Sequence, residues 1–299
     1  MTTTTTMLGF IGMGHMGSHM ATRLLGAGNQ LTVYDRSREK SQAIAGASVA
    51  ETPRDLAAHS EVVLISVTDD AALEQVMFGP DGALAGLREG SIIIDLSTVS
   101  PRASRRLYQA ARDKGAAMID AAVSGSVPQV DQGSLVVFVG GDKETYARCR
   151  SILEILGEHI FYMGSSGMGT TMKMVVNTLL GLGMQSLAEA IALGEKAGLK
   201  KGLFLDVLAQ TAVVSPSQRS KLANVKSEQY PTQFALALMH KDLGLILRQA
   251  AELSVPMPAT AAAEQMYTAA MAKGMDKDFS IVISFMQELA GIPHTLSST

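Results

Sequence analysis

In the first half of the chain, apolar residues fall into short unbroken runs separated by stretches where they recur every three or four positions. The runs are Met7 to Ile11, Leu31 to Tyr34, Val62 to Val67, Ser91 to Leu96, Ala117 to Val123 and Leu135 to Val139. Their near-continuous apolar character predicts strands covered on both faces, and His159 to Met163 reads as one more. Helical spacing follows Gly17 as far as Gly26, then recurs over Ala71 to Phe78 and Lys143 to Leu156. Thr52-Pro53 and Ser100-Pro101 pair a hydroxyl N-cap with a proline at the first helical position, opening helices to His59 and through Lys114. Repeated strand–helix units predict an α/β fold with a doubly wound, largely parallel sheet.

The pattern changes at Gly164, after which only helices are predicted, at 168–196, 202–211, 215–226, 234–253, 258–273 and 279–290. Breaks fall at Gly198, Pro216, Pro231, Pro256 and Gly274. This predicts two domains, 1–164 and 165–299, the second all-α, joined by the long helix 168–196. The Gly/Ser loop before that helix offers Ser165, Ser166 or Thr170 as its cap. Lys173 and Asn177 are four apart and share a face. Both stand among Met172, Met174, Val175, Val176, Leu179 and Leu180, which sets an apolar surrounding for the lysine against the plainer reading of a solvated side chain. Gly169, Gly181 and Gly183 cost helix stability, on the order of 1 kcal/mol each relative to alanine. Their presence predicts close approach to the backbone.

Gly12-Met13-Gly14-His15-Met16-Gly17 lies between the first strand and the first helix, and Asp35 ends the second strand. In that setting Gly12 permits a tight turn, Gly14 lets a pyrophosphate approach, and Gly17 lets the helix pack on the strand. The helix N-terminus then offers free N–H groups to phosphate. A carboxylate at the Asp35 position reaches the adenosine ribose hydroxyls and favours NAD. Arg36 and Arg38 pull toward NADP, because a guanidinium can clamp a 2′-phosphate. The first domain is therefore read as a Rossmann-type dinucleotide-binding unit.

Composition narrows the function classes. At 299 residues with net charge -3, the chain holds two domains and no broad basic surface, so nucleic acid is not an expected partner. A single cysteine, Cys149, excludes an intrachain disulfide and reads as a buried small residue. His15 and His19 have helical ligand spacing, yet no third ligand lies near them in sequence, so no metal is expected. Met1 to Thr6 lacks the charge and apolar run of a signal peptide and reads as a frayed tail. Gln185, Ser186 and Glu189 interrupt the most apolar segment, 178–194, so a cytoplasmic protein without membrane spans is expected. With 18 Met and no Trp, the core is expected to be deformable.

Other candidates are less specific. Ser97-Thr98 follows a strand directly, where open parallel sheets place ligands. Ser124-Gly125-Ser126 has donors suited to a carboxylate, although composition alone reads as a plain turn. His240-Lys241-Asp242 reads as a solvated helix face.

Taken together, Gly9–Gly17, Asp95-Leu96-Ser97-Thr98, Val123-Ser124-Gly125-Ser126, the Gly164–Asn177 stretch and Lys241-Asp242-Leu243 resemble the β-hydroxyacid dehydrogenase family. That family includes 3-hydroxyisobutyrate dehydrogenase, tartronate semialdehyde reductase and glyoxylate/succinic semialdehyde reductases. The resemblance covers nearly the whole chain. It implies Lys173 as catalytic acid/base, Asn177 orienting the reacting oxygen, and Ser124, Gly125 and Ser126 holding a substrate carboxylate. It also implies Thr98 and Lys241 at the cofactor and Phe234 in the substrate pocket. Ser126 stands where the hydroxyisobutyrate branch often has Gly, and Ala122 replaces the proline usual before Val-Ser-Gly. The Ser-Gly-Ser form looks closer to the glyoxylate and succinic semialdehyde reductases.

The implied chemistry is consistent with the residues. Hydride delivery to a carbonyl leaves an alkoxide that needs a proton, which a lysine ammonium can provide. Free lysine titrates near about 10.4, and desolvation lowers a lysine's value. Imine reductases share the fold but usually carry Asp or Tyr where Lys173 stands, and non-catalytic nucleotide-binding relatives tend to lose the lysine. A homodimer or homotetramer is expected, because the long apolar stretches of the helical half exceed what one small domain can bury.

Overall fold

The computed structural model describes residues 6–293, so the expected N-terminal tail lies outside them but for Thr6. The chain divides into two compact units, 1–173 and 174–299. The expected boundary after Gly164 coincides with the end of the last strand, whereas the division between compact units falls inside the helix that follows. The first turn of that helix is tied to the sheet.

The first unit runs β1 (Met7–Ile11), α1 (His15–Gly26), β2 (Gln30–Tyr34), α2 (Arg38–Gln42), β3 (Ser48–Val49), α3 (Pro53–Ala58), β4 (Val62–Ile65), α4 (Asp70–Phe78), β5 (Ile92–Asp95), α5 (Pro101–Asp113), β6 (Ala117–Ser124), α6 (Val127–Gln132), β7 (Leu135–Gly141), α7 (Lys143–Leu156) and β8 (Gly157–Gly164). The eight strands form one sheet in the order β3-β2-β1-β4-β5-β6-β7-β8. All neighbouring strands are parallel except β6 and β7. The connection from Gly125 to Ser134 is shorter than the dozen or so residues a parallel crossover needs, so β7 runs back beside β6.

Strand residues alternate between two buried clusters, as a period of two requires. Val62 and Leu64 of β4 join Leu8, Phe10, Ile94 and Ile119 on the face covered by α1 and α7. Val63 and Ile65 join Ile93, Met118, Leu56 and Leu107 on the face covered by α3, α4 and α5. Cys149 is fully buried in the first cluster, and burial pushes its thiol up to about 12, so it is a core residue. Thr52 and Ser100 cap α3 and α5 by accepting from Asp55 N–H and Ala103 N–H, each at 3.0 Å, as their sequence predicts.

α8 (Met168–Lys196) leaves the first unit and continues into the second, which adds α9 (Lys201–Gln210), α10 (Pro216–Ser227), α11 (Leu236–Glu252), α12 (Pro258–Ala272) and α13 (Val282–Leu289). By length and composition α8 is apolar enough to cross a membrane. Its buried residues Met184, Leu187, Ala188 and Ile191 instead form the core of the helical unit with Leu222, Leu243, Tyr267 and Phe285. Gly181 suits that packing, since a Cβ there would lie 2.9 Å from a Leu243 methyl and 3.0 Å from the Met239 sulfur, which would have to shift. The close approach expected at this glycine is therefore made by the protein's own α11. Within this unit the Lys221–Asp278 ion pair is almost fully enclosed, at 6% and 0% side-chain exposure.

Candidate active site

The strand order reverses between β1 and β4, so their carboxyl ends flank the crevice where open α/β sheets bind ligands. The glycine turn emerges there. Gly12 has φ +100°, and a Cβ on it would lie 2.1 Å from Ser66 O. A Cβ on Gly17 would lie 2.0 Å from Gly12 O, so no other residue lets α1 start this close to the turn. Gly14 has open space where its Cβ would stand, and it begins α1 without a side-chain cap. This cradle fits a pyrophosphate, since Gly14 leaves room for one at the start of α1.

Met13 is buried, whereas Gly14 and His15 are exposed and Met16 is half-buried. Asp35 follows β2 directly. Its carboxylate accepts from Met13 N–H and Ser37 N–H, both at 2.8 Å. The acid therefore braces the glycine turn as well as presenting charge beside it. Arg36 is exposed, and Arg38 pairs with Glu51. His19 pairs with Asp131 at 2.7 Å, and among the described residues no group of three or more ligating side chains could hold a metal ion.

Thr98 is half-buried two residues beyond Leu96 at the carboxyl end of β5. Asp95, at the end of that strand, is 1% exposed; its Oδ1 accepts from Ser97 N–H at 3.0 Å while its Oδ2 has no partner among the described residues. Burial raises its pKa to about 7, partly opposed by the Ser97 bonds and assisted by the nearby Asp120 and Asp70.

Ser124 ends β6, and Gly125 follows with φ +134°. Ser126 starts α6, and both its N–H and its hydroxyl donate to the Gln129 side-chain oxygen, at 2.9 and 2.8 Å. The donors of Ser126 are thus committed within the loop, and the sequence did not reveal the short helix they stabilise.

The start of α8 differs from expectation. The Ser166 hydroxyl is buried with no partner among the described residues, so it does not cap the helix. Instead the Asp120 carboxylate, reaching over from β6, accepts from Gly167 N–H at 2.7 Å and from Thr170 N–H at 2.9 Å. Lys173 follows one turn later and is half-buried.

Asn177, a further turn on, is 1% exposed. Its Nδ2 donates to Asp242 Oδ2 at 2.6 Å, and its Oδ1 has no partner among the described residues. Leaving a buried acceptor unpaired costs about 1–3 kcal/mol, a cost that a bound hydroxyl would remove. Asp242 is 3% exposed, with Lys241 Nζ 2.8 Å from its Oδ1. His240 Nε2 lies 3.0 Å from Glu264. The expected solvated helix face at His240-Lys241-Asp242 is therefore wrong, because the acid is a buried partner of Asn177. A charged residue inside the apolar run of α11 was the available signal.

Phe234 is half-buried just before α11. Its N–H donates to Asp278 at 3.1 Å, and its ring lies edge-on to Phe279 at 5.7 Å.

Residues 7–164 match the family profile of the NAD binding domain of 6-phosphogluconate dehydrogenase. Residues 167–286 match that of the NAD-binding region of NADP-dependent 3-hydroxyisobutyrate dehydrogenase. The chain is 34% identical to 2-(hydroxymethyl)glutarate dehydrogenase of Eubacterium barkeri over 95% of this chain and 96% of that one. The chain belongs to the β-hydroxyacid dehydrogenase family. This dehydrogenase is also 35% identical to glyoxylate/succinic semialdehyde reductase 2 of Arabidopsis thaliana, over 95% of its own length and 80% of the relative's. Among solved structures it is similar to 3-hydroxyisobutyrate dehydrogenase from Salmonella typhimurium, with TM-score 0.85 and 28% identity over 94% and 99% of the two chains. An imine reductase from Pseudomonas sp. shares the fold alone, at TM-score 0.59 and 19% identity. The dehydrogenase is an NAD(P)-dependent oxidoreductase.

Proposed function

We propose that this dehydrogenase interconverts a short aldehyde acid and its β-hydroxyacid, with Lys173 exchanging the proton and Asn177 orienting the reacting oxygen. The observation that carries this reading is Asn177: buried, gripped by Asp242 on one side, with an unpaired acceptor on the other. Lys173 stands one turn away on the same helix face. Bound at the Gly12–Gly17 turn, a nicotinamide dinucleotide supplies or takes up the hydride. Lys173 delivers a proton to the developing alkoxide, and in the oxidative direction it removes one.

Ser124 and Gly125, at the mouth of β6, are the best placed of the Ser-Gly-Ser loop to hold the substrate carboxylate, since Ser126 already serves Gln129. The family resemblance assigns Phe234 to substrate binding and Thr98 and Lys241 to cofactor binding. Likeness to the Arabidopsis enzyme supports an aldehyde acid such as glyoxylate or succinic semialdehyde as substrate. NAD is the favoured cofactor, because the charge of Asp35 sits where a 2′-phosphate would be repelled. A cytoplasmic location, with neither nucleic acid nor membrane as partner, goes with this reading.

The test is spectrophotometric turnover of NADH and NADPH against a panel of short aldehyde acids, for the wild type and for Lys173→Met. A general acid–base group contributes about 10²–10⁴-fold, so Lys173→Met is expected to lose at least about 100-fold in kcat. Cofactor affinity should change only a few-fold. A variant retaining more than about a tenth of wild-type turnover, far short of that range, would remove Lys173 from the role. A wild type preferring NADPH by about tenfold, roughly 1.4 kcal/mol, would overturn the charge argument from Asp35.

A further inference from the structure

Asp120 lies in the middle of β6, on the face it shares with Ala122 and Ser124. It is 1% exposed. Its Oδ1 accepts from Gly167 N–H at 2.7 Å, and its Oδ2 accepts from Thr170 N–H at 2.9 Å and Thr170 Oγ1–H at 3.2 Å. These are the first amides of α8, and a carboxylate at a helix N-terminus is favoured by both the free donors and the dipole. The fit is tight. A Cβ on Gly169 would meet Phe138 O at 2.2 Å and Asp120 Oδ2 at 2.9 Å, and one on Gly140 would meet Asp120 Oδ1 at 2.6 Å. Glycine is therefore needed on both sides of the acid. The Ser166 hydroxyl, just before α8, is buried with no partner among the described residues.

We propose that Asp120 is a positioning residue for catalysis, fixing the first turn of α8 against β6 so that Lys173 is held at a set distance from Ser124. The proposal rests on the assignment of Lys173 as proton donor and Ser124 as carboxylate anchor. A side chain on a helix leans toward the N-terminus, so that of Lys173 lies over the turn that Asp120 grips. Ser124 stands four strand residues beyond Asp120, about 13 Å along the strand. One strand thus carries the clamp of the proton donor and the anchor of the substrate. Any slip of α8 on β6 changes the distance between reacting groups, and a misplacement of about 1 Å can cost about 10²-fold in rate. Burial raises the Asp120 pKa, and the Gly167 and Thr170 bonds oppose that rise only in part.

The replacement Asp120→Asn keeps the volume but turns a donor toward one of the α8 amides. Its kcat is expected to fall by about 10- to 100-fold, with NADH affinity by fluorescence titration unchanged within a few-fold. Combined with Lys173→Met, it should cost little further turnover, because a positioning role acts only through the lysine. Damage of a general kind would lower turnover by the same factor in both backgrounds and would overturn the proposal, as would an Asp120→Asn enzyme with near wild-type kcat. If Asp120→Asn does not fold, Thr170→Val removes a single donor to the carboxylate and should show a several-fold loss with the same non-additivity; full additivity there overturns the proposal. Should Lys173→Met itself keep high turnover while Asp120→Asn loses it equally in both backgrounds, the functional reading fails along with the positioning role. If instead Lys173→Met is inactive and Asp120→Asn normal, the positioning role alone fails.

Discussion

Asp95 is a carboxyl whose desolvation outweighs its two bonds to Ser97, and its pKa climbs to about 7. Below about pH 4 both the folded and unfolded chains hold this proton. Between there and about 7 the folded chain retains a proton that the unfolded chain has released, so stability falls as pH rises through that window. Asp95→Asn carries no such charge at any pH. Its melting temperature relative to wild type should therefore be more favourable at pH 8 than at pH 5, and an unchanged difference would mean that the carboxyl is solvated. The acids Asp120 and Asp242 share a lesson at this scale. Each interrupts an apolar run, yet nothing local says which amide it meets, because its partner lies 47 or 65 positions away. Lys173 and Asn177 were legible because helical spacing alone puts them on one face.

Between elements, Asp278 joins α10, the loop before α11 and the 3₁₀ turn Phe279–Ile281. It accepts from Gln233 N–H, Phe234 N–H, Ser280 N–H and the Ser280 hydroxyl, and pairs with Lys221 at 3.0 Å. Those hydrogen bonds and Lys221 outweigh burial and hold its pKa below the usual carboxylate range. Removing one partner of a buried pair costs about 3–5 kcal/mol. Asp278→Ala should lose stability of that order in urea unfolding, because five donors are stranded at once. Lys221→Met should lose distinctly less, since the carboxylate keeps its backbone and hydroxyl donors. Equal losses would mean that the ion pair, not the amides, holds the loop. The same loop carries Phe234, whose position the helical pattern extended into α11 but whose backbone is pinned before the helix begins.

For the whole molecule, the exposed apolar residues of the helical unit are the feature to explain. Leu179 and Leu193 on α8 are each 72% exposed, Leu203 on α9 is 67% exposed, and Val213 is 85% exposed. Large apolar side chains left this exposed are the kind that association covers. A homodimer or homotetramer is expected, and light scattering at micromolar concentration should give a multiple of 31.5 kDa. A monomer would leave that surface without a role. Leu179→Glu should weaken the assembly without altering the fold of either unit, because the side chain is not in a core.

The sequence by itself determined the alternation of strands and helices, the glycine turn between β1 and α1 and the switch to helices after Gly164. All of these are local, written in residue periodicity and in glycines that only one backbone shape explains. It also placed Lys173 and Asn177 one turn apart. Tertiary structure decided what sits against them. Strand direction at β7 and the short α6 depend on a link too brief for a crossover, and chain length rather than hydropathy carried that information. The carboxylate at the start of α8 came from Asp120 on a strand, because only the assembled sheet brings it to those amides. The partner of Asn177 came from α11 for the same reason: helix packing, not spacing, selects which buried acid a buried amide meets.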